Sequence, residues 1–254
     1  MIDFYRFNHF RKYDNLIHAV TMKSNNQSYA FSLALHTQED EKEIIANRHK
    51  LEKFLCSNKK LYFIVANQTH GKSVKVIDTL KTKGWDSLNN AIENCDALIC
   101  NKKGVILTIL TADCVPILLY DSVKGVVAAI HAGWKGTKEN IVQETIVKME
   151  EEFGTNSKDI VAGIAPSIGS CCYEVGKEVA KNFFNTPKAY SKKEDKYMLN
   201  LPYINQQQLL NCGVKEKNIE MSGICTACNV DRFFSYRKEN GCSGRFMSII
   251  GLDI

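Results

Sequence analysis

At 254 residues, with 44% hydrophobic and 24% charged side chains and only 4 prolines, the composition is that of a globular chain and excludes disorder. A net charge of +5 without a long basic block slightly favours small anions and is only a weak argument for nucleic acid, so no nucleic-acid partner is expected. There is no run of about 18 apolar residues and no signal-peptide core in the polar N-terminus, so the expectation is a cytoplasmic protein with no membrane partner.

The first 36 residues read as two or three short strands of poor periodicity. A helix follows from Thr37, a candidate N-cap, through an acidic first turn to Leu55, with Ile44, Leu51 and Leu55 on one face. Leu61 to Ala66 is a strand that ends in Asn67-Gln68-Thr69-His70-Gly71, where the glycine permits a sharp turn that leaves the imidazole available. Val74 to Ile77 can pair with it, and Lys81 to Asn94 reads as a polar connection.

Residues 104 to 137 form the chemical centre. Val105 to Leu110, Val115 to Tyr120 and Val126 to Ile130 are strand-length apolar runs rich in β-branched residues, as in strands buried on both faces. Cys114 and His131 stand at ends of these runs. Strands lie only ~4.8 Å apart, so a thiol and an imidazole placed this way can share a metal or act as nucleophile and base. A cysteine in an apolar run is ordinarily packing. Asp113 before it, and Gly133-Trp134-Lys135-Gly136 after the histidine, do not belong in a plain core strand.

Beyond the glycine turn, Thr137 can cap a helix carrying Val142, Ile146, Met149 and Phe153 on one face, and the turn's N–H groups with Lys135 can hold an anion. Ile160 to Ile164 is a strand, and a helix with Val175, Val179, Phe183 and Phe184 follows. Ser191 to Lys196 reads as a solvated loop, and Pro202 to Leu210 as a helix stopped by Gly213. Strands near Ile219 to Ile224 and Phe246 to Ile250 close the chain, with Arg237 and Arg245 in the turn-rich tract between them, where two arginines can clamp an anion. No repeat or linker is visible, which predicts one domain over residues 1–254.

Ten cysteines in a reducing cytosol are expected to stay thiols. Cys56, Cys95, Cys100 and Cys212 fall in or beside apolar runs and read as packing. Cys171-Cys172 and the Cys225-Thr226-Ala227-Cys228 motif stand apart, but a single CxxC with no second CxxC is a weak signal.

Taken in order, Asn67-Gln68-Thr69-His70-Gly71, Thr111-Ala112-Asp113-Cys114-Val115-Pro116, His131-Ala132-Gly133-Trp134-Lys135-Gly136-Thr137, Cys172-Tyr173-Glu174-Val175, Cys225-Thr226, Phe234-Ser235-Tyr236-Arg237 and Gly244-Arg245 resemble the laccase-domain, or polyphenol oxidase-like, proteins, a family regarded as purine nucleoside phosphorylases. The resemblance covers about residues 25–254. It implies an α/β (α+β) fold, a single-domain sandwich of mixed β-sheets with helices packed on the outer faces. It also implies Zn(2+) held by His70, Cys114 and His131. One thiolate, two imidazoles and an open fourth position suit a catalytic zinc.

The activities implied are phosphorolysis of adenosine, inosine, guanosine and methylthioadenosine, together with adenosine deamination. The partners are then purine nucleosides and phosphate, with the protein a monomer or homodimer. Arg245, Arg237 and Lys135 become candidates for phosphate or charge stabilisation, and Asp113, beside Cys114 and His131, for either support of the ligand Cys114 from behind or proton transfer. The chain departs from the family at Phe31-Ser32-Leu33-Ala34-Leu35, where relatives carry Gly-Gly-Val-Ser, and at Lys135, where relatives often carry Arg and its fork geometry. Three other readings share the same residues: a copper phenol oxidase, a metal-free cysteine hydrolase with Cys114 as nucleophile, and a non-enzymatic metal- or partner-binding protein.

Overall fold

Successive residues of the three central apolar runs are all buried, so both faces of each run must be covered by other layers. The computed structural model describes residues 2–56, 59–241 and 244–254. Its first part comprises β1 (Phe4–Tyr5), α1 (Asn8–Arg11), β2 (Leu16–Thr21), α2 (Glu41–Cys56), β3 (Tyr62–Val65), β4 (Val74–Val76) and β5 (Ala97–Cys100). The centre follows as β6 (Val105–Thr111), β7 (Val115–Asp121), β8 (Val126–Ala132), α3 (Trp134–Lys138), α4 (Ile141–Phe153) and β9 (Ile160–Ile164). Then come β10 (Glu174–Val175), α5 (Lys177–Ala180), β11 (Tyr190–Lys193), β12 (Lys196–Leu199), α6 (Leu201–Asn211), β13 (Ile219–Met221) and β14 (Phe246–Leu252).

Two mixed sheets stack on one another. The first has the order β1-β2-β14-β6-β3 and is antiparallel except where β3 joins β6. The second, β13-β9-β7-β8-β5-β4, is antiparallel through its centre and parallel at both edges. Between them, Val105, Leu107 and Ile109 of β6 share a core with Leu118 and Tyr120 of β7 and Val127 and Ala129 of β8. The alternate residues of β7 and β8, among them Ile117, Leu119, Ala128 and Ile130, pack under Ile146 and Met149 of α4 and Ile204 of α6. On the far side of the first sheet, Ile106 and Leu110 pack with Phe63, Trp85 and Leu51 of α2. The result is a mixed α/β sandwich with helices outside. Truncating a central residue such as Ile117 or Leu118 to Ala is expected to cost about 2–5 kcal/mol.

Several local expectations are corrected. Helix α2 starts at Glu41, where the Asp40 carboxylate accepts from the Lys42 N–H at 2.8 Å, while the Thr37 hydroxyl donates to the Ala34 carbonyl. Strand β4 pairs in parallel with β5 in the second sheet, not with β3, because the turn after His70 crosses over and the Ser73 carbonyl accepts from Asp96 and Ala97. Thr137 lies inside α3, and left-handed Asn140 starts α4. The charged tract 191–196 is no loop but the end of the β11–β12 hairpin, and the helix after Gly176 shrinks to α5 and one 3-10 turn. The polar connection 81–94 is anchored by buried Arg48, whose guanidinium donates to the carbonyls of Leu33, Gly84 and Trp85. Within the tract 233–245, Cys242 and Ser243 lie outside the described residues.

Candidate functional site

Strand pairing gathers the site. β7 and β8 are antiparallel with Val115 opposite Ala132, so Cys114, just before β7, and His131, near the end of β8, come to one edge of the sheet. His70 arrives on the loop after β3 in a left-handed conformation, φ 62°. One donor atom from each of His70, Cys114 and His131 lies within 4.8 Å of the others. The two imidazoles meet edge to face with centroids 4.7 Å apart. His131 is buried, Cys114 half-buried and His70 exposed, so the cluster has a closed back and an open front.

Asp96, fully buried before β5, builds that back. Its Oδ1 lies 2.7 Å from His131 Nδ1 and accepts the His70 N–H at 2.9 Å. Its Oδ2 accepts the Gly71 N–H at 2.9 Å and the Thr69 hydroxyl at 3.0 Å. Burial alone would raise this carboxyl, yet His131 and the N–H donors bring it down to about 2. Burial likewise opposes ionisation of Cys114 and His131, but each stabilises the charged form of the other. The thiol is therefore pushed down and the imidazole up. Donors arranged this way are ready to bind a cation, and a carboxylate behind a ligating histidine fixes its ring and tautomer.

The glycine turn fits closely against this cluster. A Cβ on Gly133 would lie 3.2 Å from His70 Cδ2 and 3.3 Å from Cys114 Sγ. One on Gly136 would lie 2.7 Å from the Gly71 carbonyl oxygen. These glycines serve close packing of two loops, and α3, at five residues, is too short to offer the anion site expected from sequence.

A family profile described as "Multi-copper polyphenol oxidoreductase laccase" matches residues 18–253. The chain belongs to this family. A "Purine nucleoside phosphorylase" of Bacteroides thetaiotaomicron is 37% identical over 246 residues, covering 93% of this chain and 91% of that protein. An "Adenosine deaminase RL5" from an unknown prokaryotic organism is 36% identical over 192 residues, covering 72% of each. The crystal structure of the hypothetical protein YfiH of Bacillus licheniformis superposes with a TM-score of 0.88 at 34% identity, over 95% of this chain and 94% of that one. The laccase-family fold is thereby established for nearly the whole chain.

Around the cluster, this laccase-family chain uses Asp113 as a brace. Asp113 is 8% exposed, with φ 89°, and its Oδ1 accepts from the hydroxyls of Thr226 and Ser235, each at 2.7 Å. Its Oδ2 accepts the Arg237 N–H at 2.7 Å. Both carboxylate oxygens are thus engaged with structural donors, a geometry that suits holding the 226–237 loop against Cys114, the supporting role of the two expected from sequence.

Arg237 donates from Nη1 to the Glu174 carbonyl and lies over the Tyr173 ring, 5.3 Å from its centroid. Arg245 is half-buried, donates to the Gly244 carbonyl and lies 5.6 Å over Tyr236. Burial lowers its pKa, while the charge on Cys114 acts in the opposite sense, which places it within electrostatic reach of the cluster. Lys135 is exposed and rests on its neighbour Trp134, with its Nζ 5.8 Å from the ring centroid.

Sequence reasoning missed two residues here. Asp96 had no periodic or motif signal, although an acidic residue directly before an apolar strand is an available hint. His36 directly follows Phe31 to Leu35, the stretch where the chain departs from the family. The surrounding protein, then the positive charges of Arg245, Arg48, His131 and His70, push its pKa down to about 4.

Proposed function

We propose that the chain is a zinc-dependent purine nucleoside phosphorylase acting on adenosine, inosine, guanosine and methylthioadenosine, with adenosine deaminase activity, in one cytoplasmic domain spanning residues 1–254. The observation that carries this reading is the His70, Cys114 and His131 cluster: one sulfur and two ring nitrogens on strand ends and a braced loop, with one side open, a donor set suited to a catalytic zinc. The printed activities of the relatives support it. When bound, zinc supplies Lewis-acid polarisation at this edge of the sheet.

The chain's own groups do the rest. Asp96 keeps the His131 ring and the His70 backbone in place, so the donors need little reorganisation. Arg245 and Arg237 bring positive charge to hold phosphate. In phosphorolysis a phosphate oxygen bonds to the ribose anomeric carbon as the glycosidic C–N bond breaks, and the purine leaves carrying a proton. In deamination the oxygen of water replaces the C6 amine, which departs as ammonia.

Copper chemistry, named in the family's description, is less well served. Among the described residues only His70 and His131 are histidines within a metal-competent group, so the imidazoles of a multinuclear copper centre are not there. The experiment is metal analysis of protein purified without added metal, combined with a nucleoside panel assayed with and without phosphate. Zinc with phosphate-dependent base release is expected. Copper with visible absorbance would favour the oxidase, and metal-free activity sensitive to thiol alkylation would favour a Cys114 nucleophile.

A further inference from the structure

The cysteines that looked partnerless in the sequence are not. Cys171, Cys172, Cys225 and Cys228 place their four sulfurs within 4.8 Å of one another. We infer that they form a second metal site, a four-thiolate tetrahedral zinc centre separate from the His70, Cys114 and His131 cluster. The Cys225-x-x-Cys228 motif supplies one half and the adjacent Cys171-Cys172 pair the other.

Spacing decides among the uses of four thiols. With Zn–S bonds of ~2.3 Å, the sulfurs of a tetrahedral site sit about 3.8 Å apart. Here Cys228 Sγ lies 3.5 Å from Cys171 Sγ and 3.4 Å from Cys172 Sγ. A disulfide requires contact near 2.05 Å, and all four are free thiols. An iron–sulfur cluster interposes several irons and inorganic sulfides among its thiolates and would spread them wider than this.

The backbone prepares the arrangement without the metal. Ser167 and Cys225 form a parallel bridge, with Ser167 N–H donating to the Ile224 carbonyl and Thr226 N–H to the Ser167 carbonyl. The Gly169 N–H donates to Cys225 Sγ at 3.3 Å, as backbone amides do to metal-bound thiolates. A Cβ on Gly169 would lie 3.3 Å from the Cys225 Cβ and 3.4 Å from Cys171 Sγ, so glycine keeps the two segments close enough to share a metal. Four clustered thiols, two on exposed residues, are an oxidation liability unless something ligates them. The site would staple the loop leading to Tyr173 and Glu174, which receive Arg237, to the loop whose Thr226 holds Asp113.

The test counts metal in wild type, in Cys114→Ser and in the double variant Cys225→Ser/Cys228→Ser, all purified in reductant and exposed to zinc before gel filtration. About two zinc equivalents per chain are expected in wild type and about one in each variant. A single equivalent in wild type that disappears in Cys114→Ser and persists in the double variant would overturn the second site while leaving the first intact. Loss of the first site alone, with one equivalent surviving in Cys114→Ser, is the expected separation. Cobalt(II) loaded into Cys114→Ser gives a readout that does not depend on the double variant folding. Tetrahedral bands with strong sulfur-to-cobalt charge transfer are expected, and their absence, or an intact mass showing disulfides, would refute the proposal.

Discussion

The carboxylate of Asp96 reaches both histidines of the candidate site, bonding the ring of His131 at 2.7 Å and the backbone of His70 at 2.9 Å. One buried side chain thereby couples the end of β8 to a loop that lies twenty-six positions before Asp96 itself. Asp96→Asn keeps the volume but leaves one acceptor oxygen for these donors and removes the charge facing His131. It is expected to weaken zinc binding at this site about 10–100-fold. Chelator competition measures this, and unchanged affinity would remove Asp96 from the site's support.

Single replacements Cys114→Ser, His70→Ala and His131→Ala should each remove the zinc bound by this cluster and abolish turnover, since each takes away one of three protein donors. Full zinc retention after Cys114→Ser would contradict the site as drawn.

Gly133→Ala separates site from fold. Its backbone, at φ −72°, accepts any residue, so the added methyl acts only through its 3.2 Å and 3.3 Å approaches to His70 and Cys114. The expected outcome is a thermal midpoint near wild type with metal affinity or turnover reduced about 10-fold, the size of a few tenths of an ångström's displacement at a preorganised site. A large fall in melting temperature with intact turnover would reverse this assignment.

For phosphate, Arg245 ranks before Arg237, because it is half-buried beside β14 while Arg237 is exposed and already bonded to Glu174. Arg245→Ala should lower phosphorolysis at least ~10-fold, or ~1.4 kcal/mol of transition-state stabilisation, with zinc content unchanged and adenosine deamination less affected. Equal loss of both activities would mean that Arg245 contacts the nucleoside.

Acid should destabilise the fold partly through His18, which is 3% exposed and packs edge to face on Phe10. Burial, then the charge of Arg6, pushes its pKa down to about 4. The unfolded chain, with an ordinary histidine near 6.5, takes up the proton first. Stability is therefore full above about pH 6.5 and falls between there and 4, by at most roughly 3 kcal/mol. Urea midpoints near pH 7.5 and near pH 5 should differ less in His18→Leu than in wild type. An unaltered difference would clear His18 of the effect.

What the sequence revealed follows from range. Strands β6, β7 and β8 were legible because runs such as Val115 to Tyr120 are apolar at every position, the mark of burial on both faces. His70, Cys114 and His131 were legible as polar residues at the ends of such runs. Asp96 was hidden because its role is defined by donors at residues 69 to 71 and a ring at 131, none local to it. The pairing of Cys171 and Cys172 with the CxxC depends on the Ser167–Cys225 bridge, a contact across more than fifty residues. The β11–β12 hairpin escaped because β11 is charged and mostly exposed and β12 is four residues long, too short to show an alternation.

Strand β14 lies in the interior of its sheet, hydrogen-bonded to β2 on one side and β6 on the other. During synthesis β2 and β6 emerge long before it, and at ~5–20 residues per second the wait after β6 is on the order of ten seconds. Throughout that interval the two strands have no β14 to separate them and show unpaired apolar edges, the state most prone to wrong pairing. Slowing translation between residues 112 and 245, or titrating away a chaperone that shields strand edges, should therefore lower the yield of soluble chain more than it lowers the stability of the chain that does fold.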